Sequence, residues 1–208
     1  MLALVLFLLF SFLVGSIPTG LLIVRAKGID LRKVGSGNIG ATNVLRSAGK
    51  GAAIFTLIGD IAKGAVPLLI HKVLYASGYP IGNSVGLSYA SIEGLVGLSS
   101  IAGHDFSILL KGKGGKGVAT SLGVLVVLSP YVALFSAAIW LITAKLTRYS
   151  SLSAIVAFGL LPFSFYMIDY SQDKICIASV ISLLIFIQHR ENISRLIKGT
   201  ENKIGHTS

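Results

Sequence analysis

The sequence predicts an all-α integral membrane protein, a single bundle of about seven transmembrane helices spanning residues 1–208. Three observations carry this. Mean hydropathy is +0.82. Only 12% of the residues are charged, about half the fraction of a soluble domain. The apolar residues come in long uncharged runs, with the charges collected between them. A transmembrane β-barrel would instead alternate apolar and polar residues in segments of about ten.

In chain order the runs are 2–24, 52–75, 85–103, 118–129, 131–147, 151–168 and 174–189. The first lacks a basic n-region and is longer than a signal h-region, so it reads as a retained span. Residues 118–147 form one stretch interrupted by Pro130. It is either one long kinked helix or two short ones turning at LSP, and 118–129 falls short of the roughly 20 residues a span needs. Charge favours two crossings. Arg25, Lys27, Arg32, Lys33, Arg46 and Lys50 follow the first run, and Lys111, Lys113 and Lys116 the third. Lys145 and Arg148 mark the end of the fifth, and Arg190, Arg195, Lys198 and Lys203 follow the last. These groups share one side only if 118–147 crosses twice. The N-terminus is then outside and the C-terminus cytoplasmic, with every basic residue except Lys63, Lys72 and Lys174 on the cytoplasmic side.

The same distribution accounts for the net charge of +10 without nucleic acid as a partner. Cys176 is the only cysteine, which leaves no intrachain disulfide and no Cys-based zinc cluster. Carboxylates are few and scattered, so no metal or cofactor is expected. The ionisable residues within the runs are Asp60, Lys63 and Glu93. Asp60 and Lys63, three apart, share a helix face. They are either a charge-neutralising pair inside the bundle or a wall of a site.

Three segments, 25–51, 104–120 and 189–203, hold the candidate chemistry. In the first, KVGSGNIGATNVLR, Gly35-x-Gly37-x-x-Gly40 matches the dinucleotide fingerprint in form but lies in no βαβ unit. Ala41 stands where a phosphate loop has lysine. The chemistry outlives the failed motifs. Backbone N–H groups at Gly37 and Gly40, with the start of the next helix, suit an anion. Ser36, Asn38, Thr42 and Asn43 add neutral donors. A mere flexible connector has no use for Asn38-x-x-x-x-Asn43 between basic ends. The second segment includes KGKGGKGVAT and again combines glycine with lysine before a helix. Its lysines also fit plain positive-inside bias. The third, HRENISRLIKGTENK, is amphipathic. It reads most simply as an interfacial helix on anionic lipid, yet His189 and Asn192, three apart, could face the same pocket from the end of the last run.

GSGNIGATNVLR, GHDFSILLKGKGGKGVAT and HRENISRLIKGTENK, together with SIPTG at Ser16–Gly20, GDIAKG at Gly59–Gly64 and RYSSL at Arg148–Leu152, resemble the motifs of the bacterial acyl-phosphate:glycerol-3-phosphate acyltransferase family. The resemblance covers nearly the whole chain. It departs at Lys111 and Gly112, where an apolar or aromatic residue is expected before KGGKG. It implies a seven-helix enzyme of the bacterial cytoplasmic (inner) membrane, its active site facing the cytoplasm. A fatty acyl group would pass from acyl phosphate to the 1-hydroxyl of sn-glycerol 3-phosphate. The products would be lysophosphatidic acid and inorganic phosphate, in the first acylation of phospholipid synthesis. The soluble enzyme that makes acyl phosphate is an implied partner, besides membrane lipid.

Acyl phosphate is already activated, so the enzyme must hold its phosphate, polarise its carbonyl and position a hydroxyl. Ser36, His189 and Asn192 are the catalytic candidates. Gly37, Asn38, Gly40, Thr42 and Asn43 suit the acyl-phosphate head. Arg46 and Lys113 suit the dianion of glycerol 3-phosphate, alongside Gly114, Gly115 and Lys116, and Ser151 completes the hydroxyl-binding wall. The proton acceptor is open between His189 and a substrate phosphate, whose second pKa is about 6. The phosphate is favoured, because the sequence offers no His–carboxylate dyad. His104 fits a structural role equally well. The His-x-x-x-x-Asp motif of acyl-CoA-dependent enzymes is absent: Ala76, Leu109 and Ser194 stand five past His71, His104 and His189. An acyl-enzyme on Ser36 ranks lower, with no base adjacent. The rivals are a phosphate-ester permease and a lipid-binding scaffold. A permease would hold its ligand near the midplane, whereas these residues lie at the membrane edge.

Overall fold

A computed structural model describes residues 1–82 and 85–205 of the chain, and no described residue is in a β-strand. Helix α1 (Leu2–Gly15) continues past a break into α2 (Thr19–Arg25). Pro18, which lacks an N–H and restrains the residue before it, makes that break. A short helix, α3 (Ala41–Ala48), precedes α4 (Lys50–Ala76) and α5 (Tyr89–Asp105). Then come α6 (Val118–Leu128) and α7 (Pro130–Thr147), followed by α8 (Ser150–Gly159), α9 (Leu161–Ile168), α10 (Gln172–Gln188) and α11 (Arg190–Ile197).

Each expected apolar run is helical, and the ambiguous stretch 118–147 is two helices. Ser129 is extended (φ −159°, ψ 93°) and Pro130 takes the first position of α7. There its missing N–H leaves no bond unmade. Three units, Leu2–Arg25, Lys50–Ala76 and Pro130–Thr147, are individually long and apolar enough to cross a membrane. The expected single span 151–168 is bent by 43° between α8 and α9, where Pro162 lies in the first turn of α9. The turn between α10 and α11 is sharper, at 60°. α6, with 11 residues, is too short to span alone and is seated between α4 and α7.

The core holds Leu68, Val96, Ile101, Leu125, Phe165, Ile181 and Ile185, all fully buried. Large apolar side chains elsewhere face outward, among them Phe55, Leu134 and Leu146. An apolar exterior of this kind is compatible with lipid, where helices associate by close packing of small residues rather than by hydrophobic burial. Glycine permits that approach at two seams. A Cβ on Gly64 would lie 2.1 Å from the Thr120 carbonyl oxygen and one on Gly123 2.0 Å from that of Ile61, so α4 and α6 touch backbone to backbone. Gly15 and Gly103 do the same between α1 and α5.

A buried ion pair joins the elements. Lys63 Nζ is 2.8 Å from Asp60 Oδ1 and donates to the Ile17 carbonyl at 3.0 Å, an acceptor in the break between α1 and α2. Thr19 donates to Asp60 and Ser100 Oγ to the Lys63 carbonyl at 2.6 Å. Glu93 on α5 is buried and 3.5 Å from Lys72 Nζ.

Gly123→Val drives two methyl groups into the α4 backbone. Overpacking of this kind costs about 1–3 kcal/mol, so a melt in detergent is expected to fall by several degrees. Val126→Leu, at an exposed position of α6, is expected to leave the melt unchanged.

Candidate active site

The first glycine segment is folded around one side chain. Leu31, Ile39 and Val44 anchor it in a small apolar cluster with Val24, Ala52 and Ala53. Asn43 then organises the loop: its Nδ2 donates to the carbonyls of Leu31, Val34 and Asn38 at 3.2, 3.1 and 2.8 Å. Its Oδ1 accepts from the Ser36 N–H at 2.9 Å. Gly35, at φ +58°, passes so close that a Cβ would lie 2.3 Å from Asn43 Oδ1. The Gly37 N–H donates to the Val34 carbonyl at 3.1 Å and the Gly40 N–H to Asn38 Oδ1 at 3.0 Å. The expected anion donors Gly37 and Gly40 are therefore engaged within the loop, and Asn43 is an organiser rather than a ligand donor. The N–H groups of Ala41 and Thr42, which begin α3, have no intrahelical acceptor.

The second segment is also tied inward. The N–H groups of Gly114 and Gly115 donate to the carbonyls of Asp105 and His104, each at 3.0 Å. A Cβ on Gly115 would lie 2.0 Å from His104 Nε2. Lys113 is exposed, and its carbonyl accepts from Arg32 Nη2 at 2.6 Å. Lys111 and Gly112 form an exposed turn at positive φ.

One cavity of about 560 Å³ gathers most of the remaining candidates: Ser36, Asn38, Gly40, Thr42, Asn43, Arg46, Lys116, Ser151, His189 and Asn192. Gly37, Lys113, Gly114 and Gly115 do not line it. The cation from the second segment that does reach the cavity is Lys116. The side chain three residues beyond Lys113 points the other way because the two glycines between them reverse the chain against His104.

The polar end of the cavity is connected residue to residue. Lys116 donates to Asn192 Oδ1, whose Nδ2 donates to Glu201 Oε1 at 2.7 Å. Ser151 Oγ donates to the same oxygen at 2.7 Å, and Arg195 Nε donates to Glu201 Oε2 at 2.8 Å. Thr42 and Ser150 hydroxyls are 3.1 Å apart. Arg46 Nη2 donates to the carbonyls of Asn202 and Lys203 at 3.1 and 3.3 Å, while its buried Nε has no partner among the described residues. His189 Nδ1 is 2.8 Å from the Ile185 carbonyl. A carbonyl only accepts, so Nδ1 carries the hydrogen and neutral His189 keeps its lone pair on Nε2. Burial first, and then the charge of Arg195, brings the Lys116 ammonium down to about 8. Burial alone would raise the Glu201 carboxyl, but the hydrogen bonds from Ser151, Arg195 and Asn192 outweigh it and hold it below the usual range.

One feature of this site lies outside the sequence reading. Glu201 is a carboxylate in an otherwise basic tail, and that contrast was its only sequence signal. Asp60, which the sequence left open as a wall of a site, lines the cavity with His104, 3.7 Å away, while its partner Lys63 does not. Away from the polar end the lining is apolar, with Ile54, Leu57, Leu122, Leu141 and Phe158 among its residues. Among the described residues no three His, Cys, Asp or Glu side chains converge as a metal site. The arrangement fits an amphiphile: an anionic head against Arg46, Lys116 and the start of α3, and a hydrocarbon tail between helices.

A family described as Glycerol-3-phosphate acyltransferase matches residues 5–199. A glycerol-3-phosphate acyltransferase of Mesorhizobium japonicum is 48% identical over 97% of this chain and 96% of its own. One of Rubrobacter xylanophilus is 40% identical over 98% and 96%. Crystal structures of PlsY (YgiH), an integral membrane glycerol 3-phosphate acyltransferase, superpose with a TM-score of 0.86 for the glycerol 3-phosphate form, at 39% identity over 97% of this chain and 96% of that one. The lysophosphatidic acid form gives 0.84, at 37% identity over 97% and 95%.

A carboxyl held below its ordinary value stabilises the fold above that value, and the stabilisation is lost as pH falls through the folded one. The tail around Glu201 is therefore expected to stay docked at pH 7 and to loosen below about pH 4, where free glutamate protonates. Hydrogen exchange over 199–205 reads this, with Glu201→Gln expected to exchange fast already at pH 7.

Proposed function

The chain belongs to the glycerol-3-phosphate acyltransferase family, and we propose that this integral membrane acyltransferase takes its acyl group from acyl phosphate. It transfers that group to the 1-hydroxyl of sn-glycerol 3-phosphate, giving lysophosphatidic acid and inorganic phosphate. One observation carries the reading: a single cavity joins a cation-rich polar end, with Arg46 and Lys116, to an apolar arm between helices. The relatives' names supply glycerol 3-phosphate as the acceptor. The missing His-x-x-x-x-Asp motif supports acyl phosphate over acyl-CoA.

In this reading Arg46, with its free Nε, and Lys116 bind the phosphates. Ser36 and Thr42, with the first N–H groups of α3, polarise the acyl carbonyl; one such donor to a developing oxyanion is worth about 3–4 kcal/mol. Asn192 and Ser151, fixed by Glu201, orient the glycerol hydroxyl. That oxygen attacks the carbonyl carbon, the carbon–oxygen bond to phosphate breaks, and the hydroxyl proton ends on the departing phosphate. The phosphate accepts it directly, or His189 Nε2 relays it. Positioning alone contributes up to about 7–11 kcal/mol in ideal intramolecular cases. Positive-inside bias supports an N-terminus outside and a site facing the cytoplasm of the bacterial inner membrane. There the soluble enzyme that makes acyl phosphate has access.

In detergent, where transport is impossible, the purified protein supplied with acyl phosphate and glycerol 3-phosphate is expected to release phosphate and lysophosphatidic acid in equal amounts. Turnover of acyl-CoA with inert acyl phosphate would break the donor assignment.

His189→Ala is expected to lose far less than a hundredfold in kcat at saturating substrate. A larger loss in a correctly folded variant would move the proton to the histidine.

A further inference from the structure

The apolar arm carries two polar atoms that a plain hydrocarbon cannot satisfy. Ser136 and Trp140 lie four apart on α7, on one helical face, and both line the cavity. Ser136 is only 2% exposed. Its Oγ and the Trp140 Nε1 are buried with no hydrogen-bond partner among the described residues. Serines and threonines in apolar helices ordinarily bond the carbonyl four residues back. Here Ser11, Thr56, Thr147, Ser153, Ser164 and Ser179 all do. Ser136 does not, although a helical carbonyl is always within reach. A Trp N–H buried among apolar side chains is likewise usually paired.

Their depth limits what can pair with them. At a helical rise of 1.5 Å per residue, Trp140 lies roughly 10 Å and Ser136 roughly 16 Å below Thr147 at the end of α7. Ser150 and Ser151, which belong to the polar end, begin the next helix beside Thr147. The reacting carbonyl and the phosphates stay at that level. What reaches Ser136 and Trp140 is the middle of the acyl chain.

We propose that Ser136 and Trp140 form a two-donor subsite that selects acyl chains carrying a hydrogen-bond acceptor part-way along their length. The inference rests on the acyl-transfer reading above. Two kinds of chain offer such an acceptor: one with a mid-chain hydroxyl, whose oxygen takes an N–H or O–H bond, and one with a cis double bond, whose π face takes a weaker one. A saturated chain offers the Trp140 N–H no acceptor and leaves Ser136 only the Val132 carbonyl four residues back, so it forgoes the bond that an acceptor-bearing chain gains.

The test compares acyl phosphates of one chain length, saturated, mid-chain hydroxylated and cis-monounsaturated, on purified enzyme and on the double variant Ser136→Ala/Trp140→Phe. These substitutions remove one polar atom each into an apolar setting, so the fold is expected to survive. The native chain should favour one acceptor-bearing substrate over the saturated one by about tenfold in kcat/KM, the worth of one such bond, and the ratio should fall to about one in the variant. A hydroxyl preference identifies an oxygen ligand, a cis preference the π face. Equal kcat/KM for all three, or a preference that survives in the variant, overturns the subsite while the acyltransferase stands. A chain inert to every acyl phosphate overturns the donor assignment instead, and the same comparison with acyl-CoA esters then decides the subsite.

Discussion

One buried cation holds the site end of the bundle in register. Proline breaks the first apolar run, and Lys63 donates to the carbonyl of Ile17 in that break. An ammonium so deep in an apolar bundle needs a counter-charge, and Asp60 on the preceding turn provides it. Asp60 is itself held by Thr19 and approached by His104. The last contact ties the pair to the second glycine segment, because Gly115 packs directly on His104. Removing one partner of such a pair strands the other charge, typically at about 3–5 kcal/mol. Electrostatic satisfaction of one helix break thus fixes where α2 begins, how α5 is placed and where the Lys116 turn rests.

Above this plug the two glycine segments have a common logic. Each consumes its own backbone donors. Asn43 closes the first loop on itself, and the carbonyls of His104 and Asp105 absorb the N–H groups of the second. At Gly35, Gly114 and Gly115 the chain passes too close for a Cβ. What faces the cavity is a small set of side chains, Ser36, Thr42, Arg46 and Lys116 among them, on a backbone with little freedom left. Rigid supports of this kind allow a few donors to act at fixed geometry, which is the main source of electrostatic catalysis.

The cavity belongs partly to the protein and partly to the membrane. Its polar end is closed by the tail through Glu201 and Asn202, while Ile54, Leu57 and Leu141 along its apolar arm are each more than 40% exposed on the outer surface. A chain lying there is in contact with protein on one side and lipid on the other. The short α6 is tolerated beside this arm because its end is covered: Ser129 is buried and Lys174 donates to the Leu128 carbonyl at 3.1 Å.

The sequence by itself determined the class and the inventory. Long uncharged runs admit only helices in lipid, since each helix satisfies its own backbone. Of the two alternatives the sequence left for 118–147, the structure has two helices, because extended Ser129 and Pro130 end α6. The three motif segments were legible from composition, and Ser36, Arg46, Lys116, Ser151, His189 and Asn192 do meet in one cavity. Only the tertiary structure decided direction and partnership. Lys113 and Lys116 are equivalent as residue types, and the turn of two glycines against His104 sends one outward and the other in. Gly37 and Gly40 read as anion donors until Asn38 and Val34 are seen to take their hydrogens. Asp60 and His104 are far apart in the chain, and Glu201 reaches Ser151 across 50 residues. Periodicity and spacing report on neighbours within one helix. Contacts made between helices and across loops depend on how the bundle packs, which no local pattern encodes.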